Sequence, residues 1–145
     1  MFSKEESAKL RKEFWTSFGK SFPRKWILYN TQIKDFSFKF VANQKGAMVC
    51  LDIESYDATK NQLLFEQLTA IKNLIIEDYV PSIIYDDAFQ LENGKVIHRI
   101  YVKHTKEFSI HNKNTWQAAY EFFNLNMHQF EMFYDEFEDF IKQAV

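Results

Sequence analysis

The sequence predicts one α+β domain: an antiparallel or mixed five-stranded sheet with a long C-terminal helix packed on it. Two periodic patterns and one turn carry that expectation. Residues 116–141 repeat apolar side chains at alternating steps of four and three, the spacing of a helix face, while residues 36–40 alternate rings with polar side chains, the spacing of a strand. Asn93-Gly94 separates two strand-like runs, and both residues tolerate the positive φ of a tight hairpin turn.

Composition bounds the rest. A chain of 145 residues can bury a real core, and 16 phenylalanines mean that this core is built largely from rings. With only three glycines and two prolines, long loops and flexible linkers are not expected, so residues 1–145 form a single domain. A net charge of −2 gives no global argument for nucleic acid or an anionic membrane. The charge is uneven, however: the N-terminal stretch is basic and the C-terminal one acidic, as expected of two helix faces that attract each other. Cys50 is the only cysteine, which excludes an intramolecular disulfide and a cysteine-based zinc site. The first residues lack the apolar run of a signal peptide, and no stretch has transmembrane length, so a cytoplasmic protein without a membrane partner is expected.

In order, the first helix runs from Ser3 to Phe18. Ser3 and Glu6 form a capping box, Leu10, Phe14 and Phe18 share one face, and Gly19 is the expected stop. A short strand near Trp26–Tyr29 follows. Ile33–Val41 and Ala47–Glu54 then form a hairpin around Asn43-Gln44-Lys45-Gly46, with Val49, Leu51 and Ile53 inward and Cys50, Asp52 and Glu54 outward. Asp57 caps a second helix to Asp78, whose core stripe is Leu64, Leu68, Ile71 and Ile75. The second hairpin pairs Leu91 with Val96, Phe89 with His98 and Asp87 with Ile100, and its last strand spans Lys95–His104. The final helix carries the seam Trp116, Tyr120, Phe123, Met127, Phe130, Tyr134, Phe137 and Ile141. Phe122, Phe133 and Phe140 widen that arc and are the candidate interface of a homodimer. The element order is thus α-β-β-β-α-β-β-α.

Four groups of residues could carry chemistry. Cross-strand partners in the first hairpin sum to about 89, which brings Asp35 near Glu54 and puts Asp52 on the same outward face; converging carboxylates suit magnesium or manganese. The order helix, three strands, helix, strand also matches a restriction-endonuclease-like core, with Asp35 and Asp52-Ile53-Glu54 in the acidic places but glutamate where that pattern needs lysine. The simpler reading is a solvated face whose acids pair with Lys39. On the last strand, Arg99 and Lys103, with His98, His104 and His111 nearby, could touch phosphates, or could guard an edge, with Arg99 paired to Asp86 or Asp87. The histidines lack the carboxylate spacing of a zinc site. Trp15, Phe22, Trp26 and Tyr29 interleave with Lys20, Arg24 and Lys25, as in single-strand binders, or simply cap the core. Cys50, mid-strand and without an activating histidine, reads as structural.

Leu10-Arg11-Lys12-Glu13-Phe14-Trp15, Val49-Cys50-Leu51-Asp52-Ile53, Arg99-Ile100-Tyr101 and the stretch from Asn114-Thr115-Trp116 to Phe130 together resemble the bacterial domain of unknown function 4268. That resemblance supplies no catalytic residue. It implies an association with nuclease-like regions, by analogy only. The expectation is a non-catalytic interaction or accessory module, linked to nucleic-acid processing or defence, with no cofactor and with a protein or nucleic-acid partner. The alternatives are a divergent metal-dependent nuclease using Asp35, Asp52 and Glu54, and a small-molecule binder with an aromatic pocket.

Overall fold

A computed structural model describes residues 2–145. Its long elements are α1 (Lys4–Ser21), β1 (Phe36–Asn43), β2 (Gly46–Ile53), α2 (Ala58–Ala70), α3 (Lys72–Asp78), β3 (Ile84–Gln90), β4 (Val96–Lys103) and α4 (Trp116–Lys142). The four strands form one antiparallel sheet in the order β1-β2-β4-β3.

The capping box forms as the sequence implies: the Ser3 hydroxyl accepts the Glu6 amide at 3.1 Å and the Glu6 carboxylate accepts the Ser3 amide at 3.2 Å. Helix α1 then runs through Gly19 and stops near Pro23, because nothing at Gly19 requires a left-handed turn.

The expected strand at Trp26–Tyr29 does not form, so the sheet has four strands rather than five. Leu28, Gln32 and Asp35 all have positive φ, which breaks an extended ladder; one bond, from the Phe38 amide to the Leu28 carbonyl at 2.9 Å, is what remains of the pairing. The segment is held instead by α4. The Ile27 amide donates to Glu131 at 2.7 Å, and the Tyr134 hydroxyl donates to the Thr31 carbonyl at 2.7 Å. With that strand gone, the order that suggested a restriction-endonuclease-like core is not the order observed.

The first hairpin has the expected register, Phe36 opposite Ile53 and Ser37 opposite Asp52. Gly46, at φ +121°, closes the turn. The single long helix expected over Asp57–Asp78 is broken at Ile71 into α2 and α3. The break leaves Leu64, Leu68, Ile71 and Ile75 all buried, and the Leu68 carbonyl near the end of α2 accepts both the Ile71 amide at 3.3 Å and the Tyr85 hydroxyl at 2.8 Å.

The second hairpin differs in register. Asp86 lies opposite Arg99, Phe89 opposite Ile97 and Gln90 opposite Val96, with a shift between Asp86 and Phe89, so the expected pairs Asp87–Ile100, Phe89–His98 and Leu91–Val96 do not occur. Only Gly94 takes positive φ, at +89°, while the Asn93 side chain accepts the Lys95 amide at 2.9 Å. The longer turn and the irregularity displace every pair beyond them.

The α4 seam covers the sheet face that carries Phe36, Phe38 and Phe40. Tyr134 meets Phe36 at 5.9 Å, Phe130 meets Phe38 at 6.2 Å and Phe123 meets Phe40 at 5.2 Å, mostly edge to face. Helix α1 adds Phe18 against Phe40 at 5.2 Å, and α2 adds Phe65 against His98 at 4.8 Å. Phe133, expected at an interface, is 0% exposed against Phe130 and Tyr79, so it has no surface to give a second copy; Phe122 and Phe140 are half-buried. Replacing Phe130 with alanine should cost about 3–5 kcal/mol in urea denaturation, whereas a cost below about 1 kcal/mol would contradict this packing.

Candidate functional site

The helices meet one face of the sheet; the alternate residues of each strand point the other way and form the site. Side-chain parity puts Ser37, Lys39, Cys50, Asp52, Arg99 and Tyr101 on this second face. Because β2 and β4 are the inner strands, their charged residues lie where neighbours shield them from both sides.

Asp52 is 0% exposed and Arg99 5%. The two form a bidentate pair, Nε to Oδ1 at 2.7 Å and an NH2 group to Oδ2 at 2.9 Å. Their backbones face each other across the ladder, which fixes that geometry. The Lys39 ammonium lies 3.2 Å from Asp52 Oδ2 and 2.6 Å from Glu54 Oε2, and Lys95 approaches Glu54 Oε1 at 3.6 Å. Burial alone would lower the Arg99 pKa, but the hydrogen bonds and charge of Asp52 outweigh it and the net shift is upward. Lys39 behaves alike: desolvation pulls down, while Glu54 and Asp52 raise it further. Arg99 therefore pairs with Asp52, not with Asp86 or Asp87, and Asp52 is not solvated.

This donor set does not fit a divalent cation. Both Asp52 oxygens and both Glu54 oxygens are already engaged by cations. Asp35 is exposed on a positive-φ turn, and it contributes its carbonyl to the Glu54 amide at 2.9 Å. Among the described residues, no three His, Cys, Asp or Glu side chains are grouped to hold a metal ion. Cys50 lies beside this cluster, and burial pushes its thiol up to about 12, so it is inert at neutral pH.

Aromatic side chains adjoin the charges. The Phe89 ring lies 4.3 Å from the Arg99 guanidinium and meets Tyr101 edge-on at 5.6 Å. Between this hairpin arm and the sheet is a cavity of 250 Å³ lined by Met48, Phe89, Arg99 and Lys45. Lys45 and Lys103 are exposed and form no ion pair among the described residues. Phe89 escaped the sequence reading because the register shift that turns it onto this face leaves no signal in composition.

The other candidate cations are elsewhere. Arg24 is tied to α4 through His128 Nδ1 at 2.8 Å and Glu131 at 3.0 Å, and it lies 4.4 Å from the Trp26 ring. Trp15 stacks on Phe123 at 5.6 Å, so these rings mainly cap the core; Lys20, Lys25 and Tyr29 remain exposed. His98 and His104 face the helices, where His98 Nδ1 and His104 Nε2 are buried without a hydrogen-bond partner.

The family described as Domain of unknown function (DUF4268) matches residues 10–138. The chain belongs to this family. The match spans both hairpins and most of α4, so the charged cluster and the seam as far as Phe137 lie within the matched region. No curated protein and no solved structure matches the chain. No helix among the described residues is long and apolar enough to cross a membrane.

Two outcomes follow for the DUF4268 domain. Arg99→Ala or Asp52→Ala alone should cost about 3–5 kcal/mol, because each strands a buried charge, and the double variant should cost less than the sum of the two. Additive losses in urea denaturation would show the pair to be uncoupled. His104 is held below its ordinary value of 6.5, first by burial and then by the charge of Lys106. The unfolded chain therefore binds the proton more readily, so stability is full above about pH 6.5 and falls as the pH drops through the folded value. Denaturation midpoints should show this acid loss, and His104→Leu should flatten it.

Proposed function

We propose that this domain is a non-catalytic accessory module that binds single-stranded nucleic acid along the helix-free face of its sheet, at the half-buried rings of Phe89 and Tyr101. The observation that carries the reading is the layered arrangement of Phe89, Arg99 and Tyr101 beside Lys45 and Lys103, which form no ion pair among the described residues. Half-buried rings on a sheet offer platforms for bases, and lysines at the rim take phosphates. Arg99 itself is committed to Asp52, so its part is to hold the Phe89 ring in place rather than to contact phosphate.

The same ion pair argues against the divergent nuclease. A metal-dependent hydrolase needs carboxylate oxygens free to ligate, and here Arg99, Lys39 and Lys95 hold them. The basic residues of the N-terminal segment support a partner on the helical side less well, since Arg24 already answers Glu131.

Fluorescence anisotropy with a labelled single strand tests the reading. Binding should weaken steeply with salt, and Lys103→Glu combined with Lys45→Glu should lower affinity at least tenfold. Tyr101→Ala should cost about 1–3 kcal/mol of binding. Absence of binding at low salt, or affinity indifferent to all three changes, would remove the proposal. Calorimetric titration with manganese should give no heat; heat that disappears in Glu54→Gln, with the fold retained, would restore the nuclease.

A further inference from the structure

A second concave surface adjoins the smaller cavity, sharing Asn43 and Glu92 with it, where α1, the β1–β2 and β3–β4 turns and the segment before α4 come together. Its volume is 710 Å³, within the range of small-molecule sites. One wall is fixed by a network local to this corner. His111 accepts or donates at Nε2 with the Ser7 hydroxyl at 2.8 Å, its ring stacks on Phe2 at 4.5 Å, and its amide donates to the Ser109 hydroxyl at 3.1 Å. The Ser109 amide in turn donates to the Thr115 hydroxyl at 3.0 Å, and Trp116 Nε1 donates to the Ile110 carbonyl at 3.2 Å. The wall is thus held before any ligand arrives, which spares the ordering cost of binding.

Arg11 lines the same cleft, one helical turn after Ser7. Among the described residues it makes no ion pair and no hydrogen bond, whereas Arg24 and Arg99 both have side-chain partners. A guanidinium free to face a cleft suits a phosphate group. The half-buried Phe108 and Ile110 supply an apolar surface, and the side-chain amides of Asn43 and Gln44 border it. Amides carry both donors and acceptors, as does the edge of a nucleobase. Glu92 also lines the cleft and opposes additional negative charge.

We propose that this cleft binds a nucleoside monophosphate, with the phosphate on Arg11, the base against Phe108 and Ile110, and its edge toward Asn43 and Gln44. One cation opposed by one carboxylate accommodates a single phosphate better than a chain of three. The assignment does not depend on strand binding at the open sheet face.

Isothermal titration of the whole chain with AMP, ADP, ATP and inorganic phosphate tests it. AMP should bind, with ATP and phosphate each weaker. Arg11→Ala should reduce AMP affinity at least tenfold with an unchanged melting temperature, since Arg11 is exposed and unpaired. Tyr101→Ala, which leaves every lining residue of the cleft in place, should leave AMP binding intact, and this separates the cleft from the sheet face. Absence of AMP binding at millimolar concentration, or AMP affinity untouched by Arg11→Ala, would overturn the proposal. ATP binding tighter than AMP would overturn the single-phosphate assignment, and phosphate binding as tightly as AMP would reduce the cleft to a simple anion site.

Discussion

The packing of α4 on the ring-bearing face of β1 is the constraint on which the rest of this domain depends. Phe123, Phe130 and Tyr134 meet Phe40, Phe38 and Phe36 along one line, and each ring removes a large apolar area from water. Helices α1 and α2 settle against the same layer, through Phe18 and Phe65. All that apolar covering goes to one side of the sheet. The other side must shield its inner strands with its own side chains, and there the charged cluster is found.

That arrangement explains why a buried ion pair occurs in so small a domain. Asp52 and Arg99 face each other on the two inner strands, and the ladder holds them at bidentate distance. Lys39 reaches across from β1 to close the second Asp52 oxygen, and Phe89 lies over the guanidinium from β3. All four strands therefore contribute a side chain to one polar knot. Its net contribution to stability is small compared with what is lost when one partner is removed. What it fixes is register, because slipping any strand by one residue would carry its member to the aromatic face.

Much of this was legible beforehand. The period of Phe36, Phe38 and Phe40 and the seam of α4 are strong local signals, and each fixes its element and its buried face without help from the rest of the chain. The first hairpin's register was legible because Gly46 and the inward triplet agree. Trp26–Tyr29 was not legible as irregular, since its conformation follows from Glu131 and Tyr134, over a hundred residues away. The second hairpin failed for a different reason: Asn93-Gly94 serves a short or a longer turn equally well, and the shift near Asp86 has no residue that announces it. Of the site, the outward placement of Asp52 could be read, but its burial and its pairing with Arg99 needed the strand order. The cleft around Arg11 draws on four distant segments and carries no sequence pattern at all.

The polar anchors of α4 also constrain how the chain acquires its shape. Tyr120 holds the Phe14 carbonyl at 2.7 Å, and Glu131 and Tyr134 secure Ile27 and Thr31 at the same distance. Every one of these contacts spans more than 100 positions of the chain. During synthesis the N-terminal helix and the aromatic strand leave the ribosome long before the segment that must cover them. Closing such wide loops is slow, and until it happens the rings of β1 stay open to other chains. The domain's vulnerable interval thus falls in translation, and it ends when the final helix docks.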